Sequence, residues 1–200
     1  MKKNLPLVTI ITPTYNRADL VMETIDSVLS QDYPNIEYIV IDDGSTDRTE
    51  ERVKRVDRGR IGFREFLFYS QENLGETRAV NRGCSLAKGE IVCVVSSDDP
   101  LLPGAVSAAV EFLQKHPDVV VAYPDWVVID EKGKHREIIQ VEEFDYLRML
   151  REHFCFPGPG AFIRVAGLQS SVASQIVSSK KENNQRPATD DQRLYRDEKF

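Results

Sequence analysis

The feature that most constrains this chain is a series of short, almost wholly apolar runs rich in β-branched residues. LPLVTIIT (5–12), IEYIVID (36–42) and EIVCVVSS (90–97) have no continuous polar face. Such runs suit strands covered on both sides, the condition of a parallel sheet whose crossovers are helices. The segments between them read as those crossovers. A helix is expected from about Asp19 to Gln31, with Leu20, Ile25, Val28 and Leu29 at helical spacing. A second starts near Asp47, capped by Thr46 or Asp47. FREFLFYS (63–70) is a third strand, and residues 76–87 form a helix with Gly89 after it as a stop signal. A further helix over 103–115 is ended by Pro117. The expected fold class is therefore α/β, a mostly parallel sheet with helices on both faces.

Beyond residue 100 the order becomes mixed. VVVAYPDWVVID reads as two short strands around a turn, and DEKGK as a hairpin turn into HREIIQ. VEEFDYLRMLREH is helical, offering Phe144, Leu147, Met149 and Leu150 for packing. FCFPGPGAFIR is a Pro/Gly-rich loop entering a strand. Residues 168–186 are rich in Ser, Gln, Asn and Lys, and a mobile loop is expected there. The division predicted is one domain over 1–165 and a diverged or truncated tail over 166–200.

Composition narrows the function classes. Of 200 residues 41% are hydrophobic and 29% charged, which is ordinary for a globular chain. The formal net charge of −6 and the lack of a basic stripe argue against a nucleic-acid partner. MKKNLPLVTIITP has the superficial look of a signal peptide, but Pro6 interrupts the apolar run and no small-residue cleavage site follows, so a strand is expected. No run approaches the roughly 20 apolar residues of a membrane span, which leaves only peripheral association with a membrane. Cys84, Cys93 and Cys155 show no metal-type spacing; Cys84 and Cys93 sit among apolar neighbours and read as small core residues. A cytoplasmic location is the resulting expectation.

Three polar clusters, TPTYN, DDGS and SSDD, fall at the carboxyl ends of three predicted strands. In open parallel sheets ligands bind beyond those ends, so the clusters converge on one edge. Asp98 and Asp99 are adjacent carboxylates that repel each other and lose hydration there. They are either solvated acids leading into the next helix or ligands for a divalent cation. Mg²⁺ or Mn²⁺ typically takes one or two carboxylates and completes its shell with water and phosphate oxygens. Asp42 and Asp43 are likewise an Asx-turn with a helix cap, or part of the same site.

VTIITPTYNRADLVMETIDSVLSQDYPNIEYIVIDDGSTDRT resembles the amino-terminal signature of glycosyltransferase family 2, the inverting enzymes of the GT-A fold. ENLGETRAVNRGCSLAKGEIVCVVSSDDPLLPGAV resembles the second signature, which ends in a metal-binding acidic motif. The resemblance covers about residues 5–165 and implies a GT-A, Rossmann-like sheet with a small mixed carboxyl-terminal section. It implies a nucleotide-sugar donor of UDP or dTDP type, Mg²⁺ or Mn²⁺, and a sugar or lipid-linked acceptor, as in cell-surface polysaccharide or glycoconjugate synthesis. By position, Pro13, Thr14 and Tyr15 match the nucleobase pocket. Asp43 matches the acid that accepts the base N–H, with Asp42 as the alternative. Asp98 matches the residue near the ribose, Asp99 the residue nearest the metal, and Arg78 a cation placed to reach the base or diphosphate. RPATDDQRLYR (186–196) matches the segment that carries the general base, putting Asp190 in that role with Asp191 beside it. FPGPGAF (156–162) matches a loop near the acceptor, with Trp126 and His153 as candidates for its border.

The sequence departs from that family at two places. Ser96 stands where many members carry a further acid, leaving fewer carboxylates around a metal. Thr189 replaces the usual Glu before the base. A non-catalytic nucleotide-sugar-binding module, or a truncated inactive glycosyltransferase, is thus the alternative expectation. A nucleotidyl- or phosphoryl-transfer enzyme would want a Gly-rich phosphate loop or a P-loop Lys after the first strand, and TPTYNR has neither.

Overall fold

The computed structural model describes residues 5–56, 63–130, 133–142, 144–152 and 159–166. In chain order the elements are β1 (Val8–Thr14), α1 (Leu20–Leu29), β2 (Ile36–Asp42), α2 (Thr49–Lys54), β3 (Phe63–Ser70), α3 (Glu76–Leu86) and β4 (Ile91–Val94). There follow α4 (Ala105–Lys115), β5 (Val121–Ala122), β6 (Trp126–Ile129), β7 (His135–Ile139), α5 (Tyr146–Glu152) and β8 (Phe162–Arg164). Six strands form one sheet in the order β3-β2-β1-β4-β8-β5. The first four are parallel, while β8 runs antiparallel to both β4 and β5. The strands β6 and β7 pair separately as an antiparallel ribbon.

The apolar runs are buried on both faces, as their composition requires. Every residue of β1 and β2 is buried. Alternate side chains serve opposite layers. Val8, Ile10, Ile36, Tyr38, Val40, Ile91 and Cys93 join the core made with α1, α2 and α4, through Val21, Ile25, Val28, Val53, Val106, Val110 and Leu113. Ile11, Ile39 and Ile41 pack on the other side against Ala79 and Leu86 of α3. Each fully buried aliphatic side chain contributes about 1.5–3 kcal/mol of transfer free energy.

Three local expectations change. The buried stripe of α1 is Val21, Thr24, Ile25 and Val28, and Leu20 is 45% exposed, one position off it. Cys84 lies exposed on α3, whereas Cys93 is buried in the sheet. Gly89 does not end α3 by a left-handed turn, because α3 closes at Leu86 with Ala87 extended. Its role is close approach: a Cβ there would lie 2.6 Å from the Thr9 backbone nitrogen. The Gly89 N–H donates to Thr9 Oγ1 at 2.9 Å, and that hydroxyl donates to Glu37 Oε2 at 2.6 Å. This buried knot ties down the end of the sheet opposite the strand carboxyl ends.

Candidate functional site

The carboxyl ends of β1, β2 and β4 open into a cleft of about 620 Å³. Pro13, Thr14 and Tyr15 line it from β1 and its turn, Asp43 from β2, and Ser96, Ser97, Asp98 and Asp99 from the segment after β4. Six of the residues expected from the sequence are therefore brought together: Pro13, Thr14, Tyr15, Asp43, Asp98 and Asp99. Arg78 is exposed on α3 and is not among the lining residues, although Gly75, Glu76 and Ala79 of the same helix end are. Asp190, Asp191 and His153 lie outside the described residues. Trp126 packs half-buried on Tyr123 and Val141 rather than in the cleft.

Side chains fix each wall. Asn16 takes a positive φ of 52°, which Asn tolerates better than most residues. Its Oδ1 accepts the N–H groups of Thr46 at 2.7 Å and Asp47 at 3.3 Å. In return Asn16 N–H donates to Ser45 Oγ at 2.9 Å, and Ala18 N–H to Asp47 Oδ2 at 3.2 Å. Thus the turn after β1 and the turn after β2 brace each other. Asp47 also accepts the Thr49 N–H at 2.9 Å, so it caps α2 from two residues before the first helical position.

Gly44 brings the DDGS turn against the next loop. Its φ is +76°, and a Cβ would sit 2.8 Å from Asn73 N. There the Asp43 carboxylate accepts Gln71 Nε2 at 2.7 Å, Leu74 N–H at 3.0 Å and Gly75 N–H at 2.8 Å. Burial pushes this carboxyl up, but the Leu74, Gln71 and Gly75 donors outweigh it and hold it below the usual carboxylate range. Asp42 points into a different set of partners, Ser45 N–H at 3.3 Å and the Ser70 hydroxyl at 3.4 Å, and does not line the cleft.

The acidic wall is braced from α1 and α4. Leu101 N–H donates to Ser27 Oγ at 2.9 Å. Gln31, nearly buried, donates to Leu102 O at 3.0 Å and accepts the Val106 N–H at 3.2 Å. These bonds hold the SSDDPLL segment between two helices. Asp99 is held above the usual range by burial first and by the Asp98 charge second. Asp98 forms an ion pair with Arg17. Arg17 also lines the cleft and escaped the sequence reading. Its only signal was its place in TPTYNR, two residues after Tyr15, within the turn already assigned to the site.

Two details bear on ligands. Thr14 is 3% exposed, and its hydroxyl is the one buried side-chain polar atom without a hydrogen-bond partner among the described residues. The acidic wall presents carboxylate and hydroxyl oxygens, the hard donors that Mg²⁺ or Mn²⁺ prefers. Among the described residues no cluster of three or more metal-type side chains occurs. Asp98 and Asp99 are a donor set that fits an ion taking one or two carboxylates from protein and the rest from substrate and water.

The chain matches the family described as Glycosyl transferase family 2 over residues 9–170. An uncharacterized glycosyltransferase of Haemophilus influenzae is 33% identical over 151 residues, covering 74% of this chain and 58% of its own. Glycosyltransferase GlyG of Streptococcus pneumoniae is 35% identical over 117 residues, covering 58% of this chain and 38% of its own. Among solved structures, S. aureus TarS 1-349 in complex with UDP-GlcNAc aligns with a TM-score of 0.66 and 25% identity, over 83% of this chain and 47% of that one. Mannosyltransferase PcManGT from Pyrobaculum calidifontis, in complex with GDP-Man and Mn2+, aligns with a TM-score of 0.61 and 27% identity, over 84% of this chain and 47% of that one. The alignments cover 38–58% of the length of these proteins, so the chain spans only part of each. The mixed sheet with its mostly parallel core is the GT-A architecture of these glycosyltransferases. With a match that runs through all three walls of the cleft, the chain belongs to glycosyltransferase family 2.

Proposed function

We propose that this chain binds a nucleoside-diphosphate sugar and transfers the sugar, with inversion, to an acceptor hydroxyl. One observation carries the reading: three strand ends deliver an aromatic face, a buried aspartate and two adjacent carboxylates to a single cleft of about 620 Å³. That volume suits a ligand of this size. Tyr15, 44% exposed, offers a face for the base. An ionised carboxylate has about four acceptor positions. Asp43 uses three on Gln71, Leu74 and Gly75, which leaves one on Oδ2 for a base N–H.

Asp99, with Asp98 beside it, would hold Mg²⁺ or Mn²⁺. Bound there, the ion supplies Lewis-acid stabilisation to the leaving diphosphate. The Mn2+ named with PcManGT supports this assignment, and the UDP-GlcNAc named with TarS supports a uridine-type donor. In the transfer, a bond forms between the acceptor oxygen and the anomeric carbon as the bond to the diphosphate oxygen breaks. The acceptor proton passes to a carboxylate, for which Asp190 is the candidate and Asp191 its neighbour; the electron pair leaves with the nucleoside diphosphate. The rigid walls contribute by holding donor and acceptor in line.

A thermal-shift panel of UDP-, dTDP-, GDP- and ADP-sugars with Mn²⁺ tests the donor class. UDP- or dTDP-sugars are expected to raise the melting temperature most; a larger shift with GDP- or ADP-sugars would refute the assignment. Turnover is followed by release of UDP. Release that Asp190→Asn abolishes supports the base. Binding with no release, unchanged by Asp190→Asn, means a binding module instead.

A further inference from the structure

The cleft has the wrong charge for the ligand it is assigned. Asp43, Glu76, Asp98 and Asp99 line it, and Arg17 is the one Lys or Arg among the described lining residues. A diphosphate carries two or more negative charges at neutral pH. It enters this cleft only if positive charge is delivered to it. Yet the Arg17 guanidinium is already committed to Asp98.

The backbone of Arg17 is fixed. Its N–H donates to Thr49 Oγ1 at 3.1 Å, and its carbonyl accepts the Val21 N–H at 2.9 Å at the start of α1. Asn16 and Ala18 on either side are bonded to the turn after β2. The side chain is different. It is 42% exposed, as is that of Asp98, and the ion pair holds its guanidinium. A partly solvated pair of this kind is weak and is readily exchanged for a better partner.

We propose that Arg17 is a diphosphate-binding residue that Asp98 stores: its guanidinium moves from that carboxylate to a donor phosphate when a divalent cation takes the acidic pair. The inference rests on the donor-binding reading above and adds a residue to it. Arg17 and the cation are both positive and compete for Asp98, so each disfavours the other while the cleft holds no anion. A diphosphate removes the conflict. It offers oxygens to the cation and a planar, bidentate partner to the guanidinium, the contact Arg makes best. Antagonism between two cations thus becomes cooperation once the donor arrives. By linkage, nucleotide and metal must each strengthen the other's binding by the same factor.

The test is Arg17→Gln, with the fold checked by circular dichroism. Binding of Mn²⁺ alone is followed by electron paramagnetic resonance, and binding of UDP in saturating Mn²⁺ by calorimetry. Removing the stored cation is expected to tighten Mn²⁺ alone by about 3-fold and to weaken UDP by about 10-fold or more. These shifts have opposite signs, which a merely structural residue would not produce. Arg17→Lys keeps the charge and loses the fork. It should bind Mn²⁺ alone as the wild type does and UDP about 3-fold more weakly, and it serves as the test if the Gln variant does not fold. Weakening of both ligands in Arg17→Gln, or no change in either, overturns the proposal. A wild type that binds UDP with Mn²⁺ while Arg17→Gln behaves identically sinks this inference alone. A wild type with no Mn²⁺-dependent UDP binding sinks the functional reading beneath it.

Discussion

The donor edge and the section after β4 are built on different principles. At the donor edge side chains tie the turns to one another and to α1: Asn16 to Thr46, Asp43 to Gly75, and Ser27 of α1 to Leu101. The strands beneath are wholly buried. Beyond β5 and β8, whose Ala122 and Phe162 still join the main core, the section between them has a small separate core of Tyr123 and Val141, with Val121, Trp126, Phe144 and Ala161 against them. Its side-chain ties include Val141 N–H to Asp125 Oδ1 at 2.7 Å, the Tyr123 hydroxyl to Glu142 O at 3.1 Å and ion pairs of Arg148 with Glu142 and Glu152. Ile138, Leu147 and Leu150 are more than half exposed. The lesson is that preorganisation is concentrated where a nucleotide is proposed to bind. The section between β5 and β8 leaves more of its apolar side chains open to solvent.

Substitutions can break that comparison. The largest effect is expected at the acidic wall. Asp99→Asn removes the carboxylate assigned to the ion and should weaken Mn²⁺-dependent UDP binding by about 100-fold, with little change in the urea midpoint. A normal affinity in this variant would move the metal elsewhere.

Next comes Asp43. Asp43→Asn loses an ionised acceptor of three bonds and should cost about 2–3 kcal/mol by urea unfolding at pH 7. The sign of its pH dependence follows from its lowered carboxyl. The folded form binds its proton less readily than the unfolded form. Its stabilisation is therefore full above the ordinary aspartate pKa and is lost as pH falls through the lower folded value. The variant should accordingly show a shallower loss of stability on acidification. An equal acid slope in both proteins would contradict the hydrogen-bond assignment.

Gly89→Ala separates stability from binding. The new methyl meets the Thr9 backbone at 2.6 Å, at the sheet end away from the cleft. A loss of about 1–3 kcal/mol with unchanged UDP affinity is expected. The smallest effect belongs to the section between β5 and β8. Leu147→Gln, at a side chain 53% exposed, should shift stability by less than about 0.5 kcal/mol and leave nucleotide binding alone. A large loss in that variant would show that the two halves are less distinct than their packing.

Much of this was legible in the sequence because short-range chemistry determines it. β-branched runs without a polar face gave β1, β2 and β4, and the acids at their ends marked the cleft. The rest depends on distant pairings. β8 inserts between β4 and β5, and no local pattern records that order. Leu20 looked like a core residue because Leu fits any helical stripe; its exposure follows from where the turn lets α1 begin. Gly89 carried the mark of a helix stop but answers to Thr9, eighty residues away in sequence. Arg17 was invisible as a site residue for the same reason, since its meaning lies in Asp98. Gln31 reads as a polar helix end, yet it holds the acidic wall in place.

The central claim is that the paired carboxylates after β4 bind the donor diphosphate through a divalent cation. Calorimetric titration of the wild-type chain with UDP, once in Mn²⁺ and once in EDTA, tests it most directly. The account predicts affinity at least about 10-fold higher in Mn²⁺. Equal affinity in the two conditions would contradict it.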